Sequence, residues 1–419
     1  MNILVVGGGA RDHALAWKLS LSPKAEQIFV APGNAGTAQF AHNLDINPTD
    51  INSIVKAALD NRVRLTVVGP EAPLAAGIGN HFNIRGMPIF APTRNAAEIE
   101  SSKVFAKDLM QKYHIPCARS ASFSDYAKAK QYLEKQKLPV VIKADGLAAG
   151  KGVVVAETKP QAIAALSDFM EKKTLGAAGN SIVIEECLVG KEMSYFAFTD
   201  THSTVPAVPA CDYKRVFDNG KGPNTGGMGA YSPPVFFNAE LGRKIDETIM
   251  KPVVKALQSE SRPYEGILYG GLMITAEGPK VLEFNARFGD PETQVILPRL
   301  KTDLVDIMLA IGNKELGITN IEWSEDASVG VVLASGGYPG DFKTGFPITG
   351  LDDLDKDVLV FHAGTKIGKQ PGEILTSGGR VLTVVATGKT LAEAREKVYA
   401  NVARIHFEGC HYRKDIAQF

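Results

Sequence analysis

Residues Val140–Ala156 read VVIKADGLAAGKGVVVA, and this segment gives the clearest indication of the fold. An apolar run carries Lys143 near its end, a Gly-rich loop follows over Asp145–Gly152 with Lys151 inside it, and a second β-branched run begins at Val153. Glycines let backbone N–H groups approach an anion closely, and lysines supply charge. The segment therefore predicts two strands joined by a loop that covers phosphate groups.

The spacing of this loop differs from that of the phosphate-binding loop of P-loop NTPases. Three residues lie between Gly146 and Gly150 where a P-loop has four, and Gly152 follows Lys151 where a P-loop has Ser or Thr. A strand follows instead of a helix. An ordinary Gly-rich hairpin is the alternative that the segment alone leaves open.

Length and composition narrow the class of protein. The 419 residues predict about two to four domains. Lys plus Arg equals Asp plus Glu at 46 each, which gives no electrostatic footprint for nucleic acid. The four cysteines are scattered, with no CxxC pair, and no apolar run reaches membrane-spanning length. We expect a cytoplasmic protein that binds neither nucleic acid nor membrane.

The first hundred residues alternate strand and helix. Apolar strands are predicted at Ile3–Val6, Gln27–Val30, Leu65–Val68 and Pro88–Phe90. Such strands joined by helices predict a parallel sheet covered on both faces. Gly/Pro-rich turns follow the carboxyl ends of the strands, where ligands of open α/β sheets collect.

The first of these turns is Gly7–Gly9, followed by Arg11. Asp12 stands where a dinucleotide fingerprint needs its third glycine, which argues against the alternative of a dehydrogenase. A phosphate at the helix N-terminus and a plain strand-to-helix turn both remain open.

The central region carries lysines and glutamates in a second predicted α/β unit. Ser101 or Ser102 can cap a helix that carries Lys103. The predicted strand Ile182–Glu186 ends in a linker whose backbone can meet an adenine edge, and a nearby carboxylate can accept from ribose hydroxyls. Solvated surface is the alternative for Glu185, Glu186 and Glu192.

The segment Val281–Thr293, VLEFNARFGDPET, gives the most specific indication of a functional site. Strand alternation places Glu283, Asn285 and Arg287 on one face, and Leu282, Phe284 and Ala286 on the other. A carboxylate and an amide oxygen suit Mg²⁺, and Arg287 can hold a carboxylate or phosphate in a bidentate fork. A polar, solvent-facing strand side is the alternative.

Long motifs continue from one end of the chain to the other. They are GGGARDHA at 7–14, APGNAGT at 31–37, VGPEAPL at 68–74, IKADGLAAGKGV at 142–153, GPNTGGMGAYSP at 222–233, EFNARFGDPETQ at 283–294, GGYPG at 336–340 and HAGT at 362–365. Through these motifs nearly the whole chain resembles the phosphoribosylamine–glycine ligase family of the ATP-grasp superfamily.

The resemblance implies an α/β fold in three parts. An N-terminal parallel-sheet α/β domain is expected over 1–102, an ATP-grasp domain of two α+β subdomains over 103–323 with its flap subdomain at about 118–190, and a small β-rich C-terminal domain over 324–419. Two positions depart from the first family motif, Ala10 and Asp12, and neither threatens the assignment. The run Tyr269–Thr275 lacks the carboxylate that many ATP-grasp proteins carry there, so few protein ligands are expected for the metal.

The activity implied by the resemblance is the ATP-dependent joining of glycine to 5-phosphoribosylamine through glycyl phosphate. The products are glycinamide ribonucleotide, ADP and phosphate, in the second step of purine biosynthesis. Mg²⁺ or Mn²⁺ is the expected cofactor, with ATP as co-substrate. The expected partners are small molecules, with a monomeric enzyme in transient contact with neighbouring purine-pathway enzymes. Another ATP-grasp carboxylate–amine ligase and a non-catalytic nucleotide-binding protein are the alternatives.

The resemblance also implies roles for individual residues. The expected catalytic residues are Arg287, Asp212 and Lys143. The expected ATP-binding residues are Lys103, Lys143, Gly150, Lys151, Gly152, Glu185, Glu186, Leu188 and Glu192. The expected substrate-binding residues are Gly9, Arg11, Asn34, Thr37, Pro70 and Glu71, with Asp212 and Arg287 orienting glycine. The expected metal ligands are Glu283 and Asn285.

Overall fold

The N-terminal segment forms the predicted parallel sheet. A computed structural model describes residues 1–147 and 152–419. The first strands are β1 (Asn2–Gly7), β2 (Gln27–Pro32), β3 (His42–Asn43), β4 (Val63–Val68) and β5 (Ile89–Phe90), in the spatial order β3-β2-β1-β4-β5. The helices are α1 (Ala10–Ser20), α2 (Ile51–Asp60), α3 (Glu71–Ala76), α4 (Ile78–Asn83) and α5 (Arg94–Ser101). All pairs are parallel, and Ile3–Val6 is fully buried because helices cover both faces of the sheet.

The next segment forms a small antiparallel unit around the Gly-rich loop. Its elements are α6 (Lys103–Lys112), β6 (Ser120–Phe123), α7 (Tyr126–Glu134), β7 (Val140–Ala144), β8 (Val153–Ala156), α8 (Lys159–Leu166) and β9 (Ile182–Glu186), with strand order β6-β9-β7-β8. The two strands predicted around the loop are confirmed, since β7 pairs with β8 and Lys143 lies opposite Val153. Ser102 caps α6 by accepting a hydrogen bond from the N–H of Phe105. The sheet and its helices enclose a hydrophobic core of their own.

The following segment supplies a second antiparallel sheet. Its elements are β10 (Lys191–Asp200), β11 (Thr204–Pro206), β12 (Cys211–Asp212), β13 (Arg215–Phe217), β14 (Lys221–Asn224), β15 (Gly229–Ser232), α9 (Ala239–Ile245), α10 (Lys251–Ser259), β16 (Glu265–Thr275), β17 (Gly278–Asn285), α11 (Glu292–Ile296) and α12 (Leu304–Asn313). The order β11-β10-β16-β17 places the predicted hairpin of β16 and β17 at one edge.

Strand β17 departs from the predicted alternation at one residue. Gly271 pairs with Glu283 and Leu272 with Val281, so the pairing skips Leu282. Val281 and Phe284 both pack in the core, and Leu282 does not. The prediction that Leu282 shares the core side with Phe284 is therefore wrong, because the irregularity shifts the alternation. The strand also ends at Asn285, so Arg287 follows the strand instead of lying within it.

The C-terminal segment completes a sheet that begins in the central region. Its elements are β18 (Ala327–Ala334), β19 (Leu359–His362), β20 (Thr365–Ile367), β21 (Ile374–Thr376), β22 (Arg380–Gly388) and α13 (Leu391–Val402). The sheet order β12-β15-β18-β22-β19 joins two central strands to three C-terminal ones. Within the described residues, no helix combines the length and the apolar character needed to cross a membrane.

Candidate active site

One large cavity, of about 1020 Å³, lies where the segments of the chain meet. Its wall includes Arg11 and Glu71 from the N-terminal segment, Lys103 from α6, Glu283 from β17 and Arg380 from the C-terminal segment. Residues that are distant in sequence are therefore placed around one space large enough for a nucleotide and a second substrate.

Lys103, the first residue of α6, lies beside the start of the Gly-rich loop. Its Nζ donates a hydrogen bond to the carbonyl of Gly146 (3.0 Å), and the Asp145 carboxylate accepts one from the N–H of Val104 (3.2 Å). Loss of hydration lowers the pKa of Lys103, with Glu283 acting in the opposite direction. Gly152 lines the cavity, whereas the predicted ATP contacts Gly150 and Lys151 lie outside the described residues.

Lys143 and Glu185 form part of a buried charge cluster. Lys143 Nζ donates to the carbonyl of Leu282 (2.9 Å) and lies 3.2 Å from Glu185 Oε2, while Lys107 Nζ lies 3.2 Å from Glu185 Oε1. Glu185 is 3% exposed, so the alternative of a solvated surface glutamate is wrong for this residue. Lys107 was not predicted from the sequence, although its place four residues after Lys103 on a capped helix was a usable signal.

The linker after β9 also borders the cavity. The Glu186 carboxylate accepts hydrogen bonds from the N–H (3.0 Å) and Nε (2.9 Å) of Arg119, and the N–H of Glu186 donates to the carbonyl of Arg119 (3.0 Å). That N–H is therefore already used in the sheet. Leu188 and Glu192 line the cavity, and Glu192 lies 3.5 Å from Lys214.

Glu283 and Asn285 lie together on the cavity wall. Loss of hydration acts to raise the pKa of Glu283, but Lys214, Lys143 and Lys103 outweigh it and hold the pKa below its ordinary value. The amide oxygen of Asn285 accepts a hydrogen bond from Arg287 (3.2 Å). An ionised carboxylate beside an amide oxygen fits Mg²⁺, whose remaining ligands are then water and phosphate. Among the described residues, no group of three or more His, Cys, Asp or Glu side chains could hold a metal ion.

Arg287 is held by two carboxylates. Its guanidinium lies 2.9 Å from Glu100 and 3.4 Å from Glu71, which raise its pKa against the effect of desolvation. Glu71 also lies 3.8 Å from Arg11, whose Nη1 donates to the carbonyl of Phe288 (3.2 Å). The sequence analysis did not predict Glu100, which lies on α5 far from any motif. These charges connect the N-terminal segment to the end of β17.

Asp212 lies in a second charged group on β12 and the loop after it. Loss of hydration raises the pKa of Asp212 to about 7, with Lys214 opposing that rise and Glu292 adding to it. Glu292, another cavity residue that was not predicted, accepts hydrogen bonds from the hydroxyls of Ser194 and Tyr269 (2.8 Å each). A carboxyl group with a pKa near 7 can respond to the arrival of a charged substrate.

The C-terminal segment contributes Arg380 to the cavity. Its guanidinium donates to the Asp290 carboxylate (2.7 Å) and to the carbonyl of Gly226 (2.6 Å). Desolvation favours the neutral acid at Asp290, but Arg380 and Arg11 outweigh it and lower the pKa. Neither Asp290 nor Arg380 was singled out from the sequence, because the contact joins a loop after β17 to the start of β22, far apart in the chain.

Four of the predicted substrate residues do not line the cavity. They lie in or beside the loops behind the cavity wall. The Gly9 N–H donates to Asp12 (2.8 Å), and the Asn34 amide donates to the carbonyls of Gly8 (3.0 Å) and His362 (2.7 Å). Thr37 is fully buried and accepts from the N–H of Asn34 (2.8 Å), and Pro70 precedes the first turn of α3. Their direct contact with substrate remains a prediction.

Comparison with known proteins agrees with this architecture. Sequence profiles of the phosphoribosylglycinamide synthetase N domain, ATP-grasp (A) domain and C domain match residues 1–100, 101–293 and 328–419. A curated phosphoribosylamine–glycine ligase of Halalkalibacterium halodurans is 50% identical over 99% of this chain and 96% of its own length. A crystal structure of phosphoribosylamine–glycine ligase from Thermotoga maritima is 33% identical and superposes with a TM-score of 0.87, covering 99% of this chain and all of that one.

A similar sequence also occurs as part of a larger polypeptide. A trifunctional purine biosynthetic protein of Gallus gallus is 48% identical over 99% of this chain, which spans 42% of that protein. The three consecutive profile matches and the full-length relatives lead to one conclusion. The chain belongs to the phosphoribosylglycinamide synthetase family.

Proposed function

We propose that this chain joins glycine to 5-phosphoribosylamine at the expense of ATP, through a glycyl phosphate intermediate. One observation carries the proposal: Lys103 and Lys143 share a cavity with Glu283 and Asn285, in a chain 50% identical to a phosphoribosylamine–glycine ligase. The cavity therefore contains both cations that can bind phosphate groups and oxygen donors that can bind a divalent metal.

The chemistry has two steps and no protein nucleophile. An oxygen of the glycine carboxylate attacks the γ-phosphorus of ATP, and ADP leaves. The amine of phosphoribosylamine then attacks the acyl carbon, the amine loses a proton, and phosphate leaves with the carboxylate oxygen. Because glycyl phosphate hydrolyses readily, the site must exclude water, and positioning with charge neutralisation supplies most of the catalysis.

The nucleotide occupies the part of the cavity that contains the lysines. Lys103 and Lys143 neutralise phosphate oxygens, and Gly152 borders the same space. Leu188 and Glu186 border the adenine, and Glu192 accepts from ribose hydroxyls. Glu283 and Asn285 would hold Mg²⁺, which neutralises phosphate charge when bound.

Glycine and phosphoribosylamine occupy the part of the cavity between the central and N-terminal segments. Arg287 orients the glycine carboxylate while Glu100 and Glu71 fix its guanidinium. Asp212 receives the glycine ammonium, and its raised pKa means that a bound cation would draw it toward the ionised form. Arg11 binds the phosphate of the ribosylamine at the N-terminus of α1.

A second candidate is an ATP-grasp ligase for a different acid or amine. Purified protein, ATP and Mg²⁺ would be mixed with phosphoribosylamine and either glycine or β-alanine, with products followed by mass. The proposal requires glycinamide ribonucleotide from glycine and little product from β-alanine. Product from another acid in preference to glycine would favour the second candidate.

A further inference from the structure

Lys107 is a buried lysine that the proposed chemistry leaves unused. It is 3% exposed on α6, and its Nζ is closed off from solvent, 3.2 Å from Glu185 Oε1. Within the described parts of the chain this Nζ makes no aligned hydrogen bond. Desolvation lowers the pKa of Lys107, with Glu185 opposing that change. A buried ion pair is a weak source of stability, which points to a role other than holding the fold.

Glu185 is shared between two lysines. Lys143 Nζ lies 3.2 Å from its second oxygen, and it also donates to the carbonyl of Leu282. With all three groups ionised, the cluster of Lys107, Lys143 and Glu185 carries one net positive charge. Without Lys107, Glu185 would cancel the charge of Lys143, and a phosphate group would meet a neutral pair.

We propose that Lys107 is a positioning residue for nucleotide binding, which pairs with Glu185 and thereby leaves the charge of Lys143 available to the phosphate groups of ATP. The inference rests on the proposed function, because it places ATP in the same cavity. Lys107 borders the cavity, but its Nζ is closed off from solvent beside Glu185, so it acts through Glu185 without touching the nucleotide.

The test is calorimetric titration of the full chain with Mg·ADP, which requires no turnover. Lys107→Met should weaken binding by about tenfold or more, since it removes the charge that offsets Glu185. Lys107→Arg keeps that charge and should recover most of the affinity. Lys112→Met is the matched control, because Lys112 lies on the same helix in an exposed pair with Glu260 and should leave binding unchanged. A folded Lys107→Met protein with unchanged Mg·ADP affinity would overturn the inference.

A second comparison remains decisive even where Lys107→Met does not fold alone. Glu185→Gln and the double variant Lys107→Met/Glu185→Gln should bind Mg·ADP equally within about threefold, because Lys107 has no carboxylate left to act through. A tenfold or larger loss on adding Lys107→Met to Glu185→Gln, about the loss expected in the native background, would overturn the inference. Wild-type protein that binds Mg·ADP but makes no ligation product would contradict the proposed function alone.

Discussion

Glu283 shows how a single carboxylate can lose hydration and still stay ionised. Three lysines lower its pKa, so at neutral pH it is a negatively charged oxygen donor beside Asn285. Its residue type and its neighbour in the motif were readable from the sequence. The three lysines that keep it charged come from α6, β7 and the loop after β12, and no local pattern predicts that they meet.

Glu283→Gln should lower turnover roughly 10- to 100-fold, because a neutral amide binds Mg²⁺ more weakly than a carboxylate. Steady-state kinetics over a Mg²⁺ series is the measurement. Glu277→Gln is the control, since Glu277 is exposed in the turn of the same hairpin and pairs with Lys280. Near-normal turnover of Glu283→Gln at limiting Mg²⁺ would show that Glu283 is not a metal ligand.

His13 and His362 form a buried contact between the N-terminal and C-terminal segments. The N–H of His362 donates to Nδ1 of His13 (2.9 Å), and desolvation lowers the pKa of His13 to about 3 and that of His362 to about 4. Below pH 6.5 these imidazoles become protonated in the unfolded chain but stay neutral in the folded protein. Stability is therefore complete above about pH 6.5 and falls as the pH is lowered.

Each histidine that stays neutral in the folded protein should lower the free energy of unfolding by about 1.4 kcal/mol for each pH unit below 6.5. His13→Gln should therefore show a smaller loss of urea midpoint between pH 7 and pH 5 than the wild type. His42→Gln is the control, because His42 is exposed. Equal losses in the wild type and His13→Gln would mean that His13 titrates normally in the folded protein.

The C-terminal tail after α13 contacts the central part of the chain, and these contacts were not predicted from the sequence. Arg413 lies 4.7 Å from the Tyr213 ring centroid, donates to the carbonyl of Arg215 (3.0 Å) and pairs with Asp415. These contacts hold the segment that carries Asp212. A cation stacked on an aromatic ring leaves no sequence periodicity, so the structure was needed to find it.

Arg413→Met should lower kcat/KM for glycine about tenfold and Mg·ADP affinity much less, because it loosens the segment around Asp212 while Lys103 and Lys143 stay in place. Kinetics with varied glycine and calorimetry with Mg·ADP would measure the two effects. Lys414→Met, at an exposed neighbouring position, is the control. Equal losses for glycine and nucleotide would indicate a general disturbance of the fold instead.

At the scale of the molecule, the sequence analysis predicted the parallel N-terminal sheet and the antiparallel strands around the Gly-rich loop. It did not predict the sheet that joins β12 and β15 to β18, because pairing between distant strands has no local signature. The boundaries at residues 102 and 323 stay a prediction, although the family profiles change near them. The cavity is lined by residues of all three parts, and the proposed function places phosphoribosylamine against the N-terminal part and ATP against the central part.

That division predicts a selective effect of Arg11→Ala. The apparent KM for phosphoribosylamine should rise roughly 10- to 100-fold, and that for ATP should change little, since only one substrate loses a charged partner. Arg85→Ala, at an exposed position on the same N-terminal segment, is the control. An equal rise for both substrates would point to a role of Arg11 in bringing the segments together.

The glycyl phosphate intermediate is tested most directly by following the oxygen atoms of glycine. Glycine labelled with ¹⁸O in both carboxylate positions would be incubated with ATP, Mg²⁺, phosphoribosylamine and the protein, and the products analysed by mass. The glycyl phosphate route predicts one ¹⁸O in the released phosphate and one in the amide of the product. Unlabelled phosphate released together with product, or label recovered in AMP, would exclude glycyl phosphate as the intermediate.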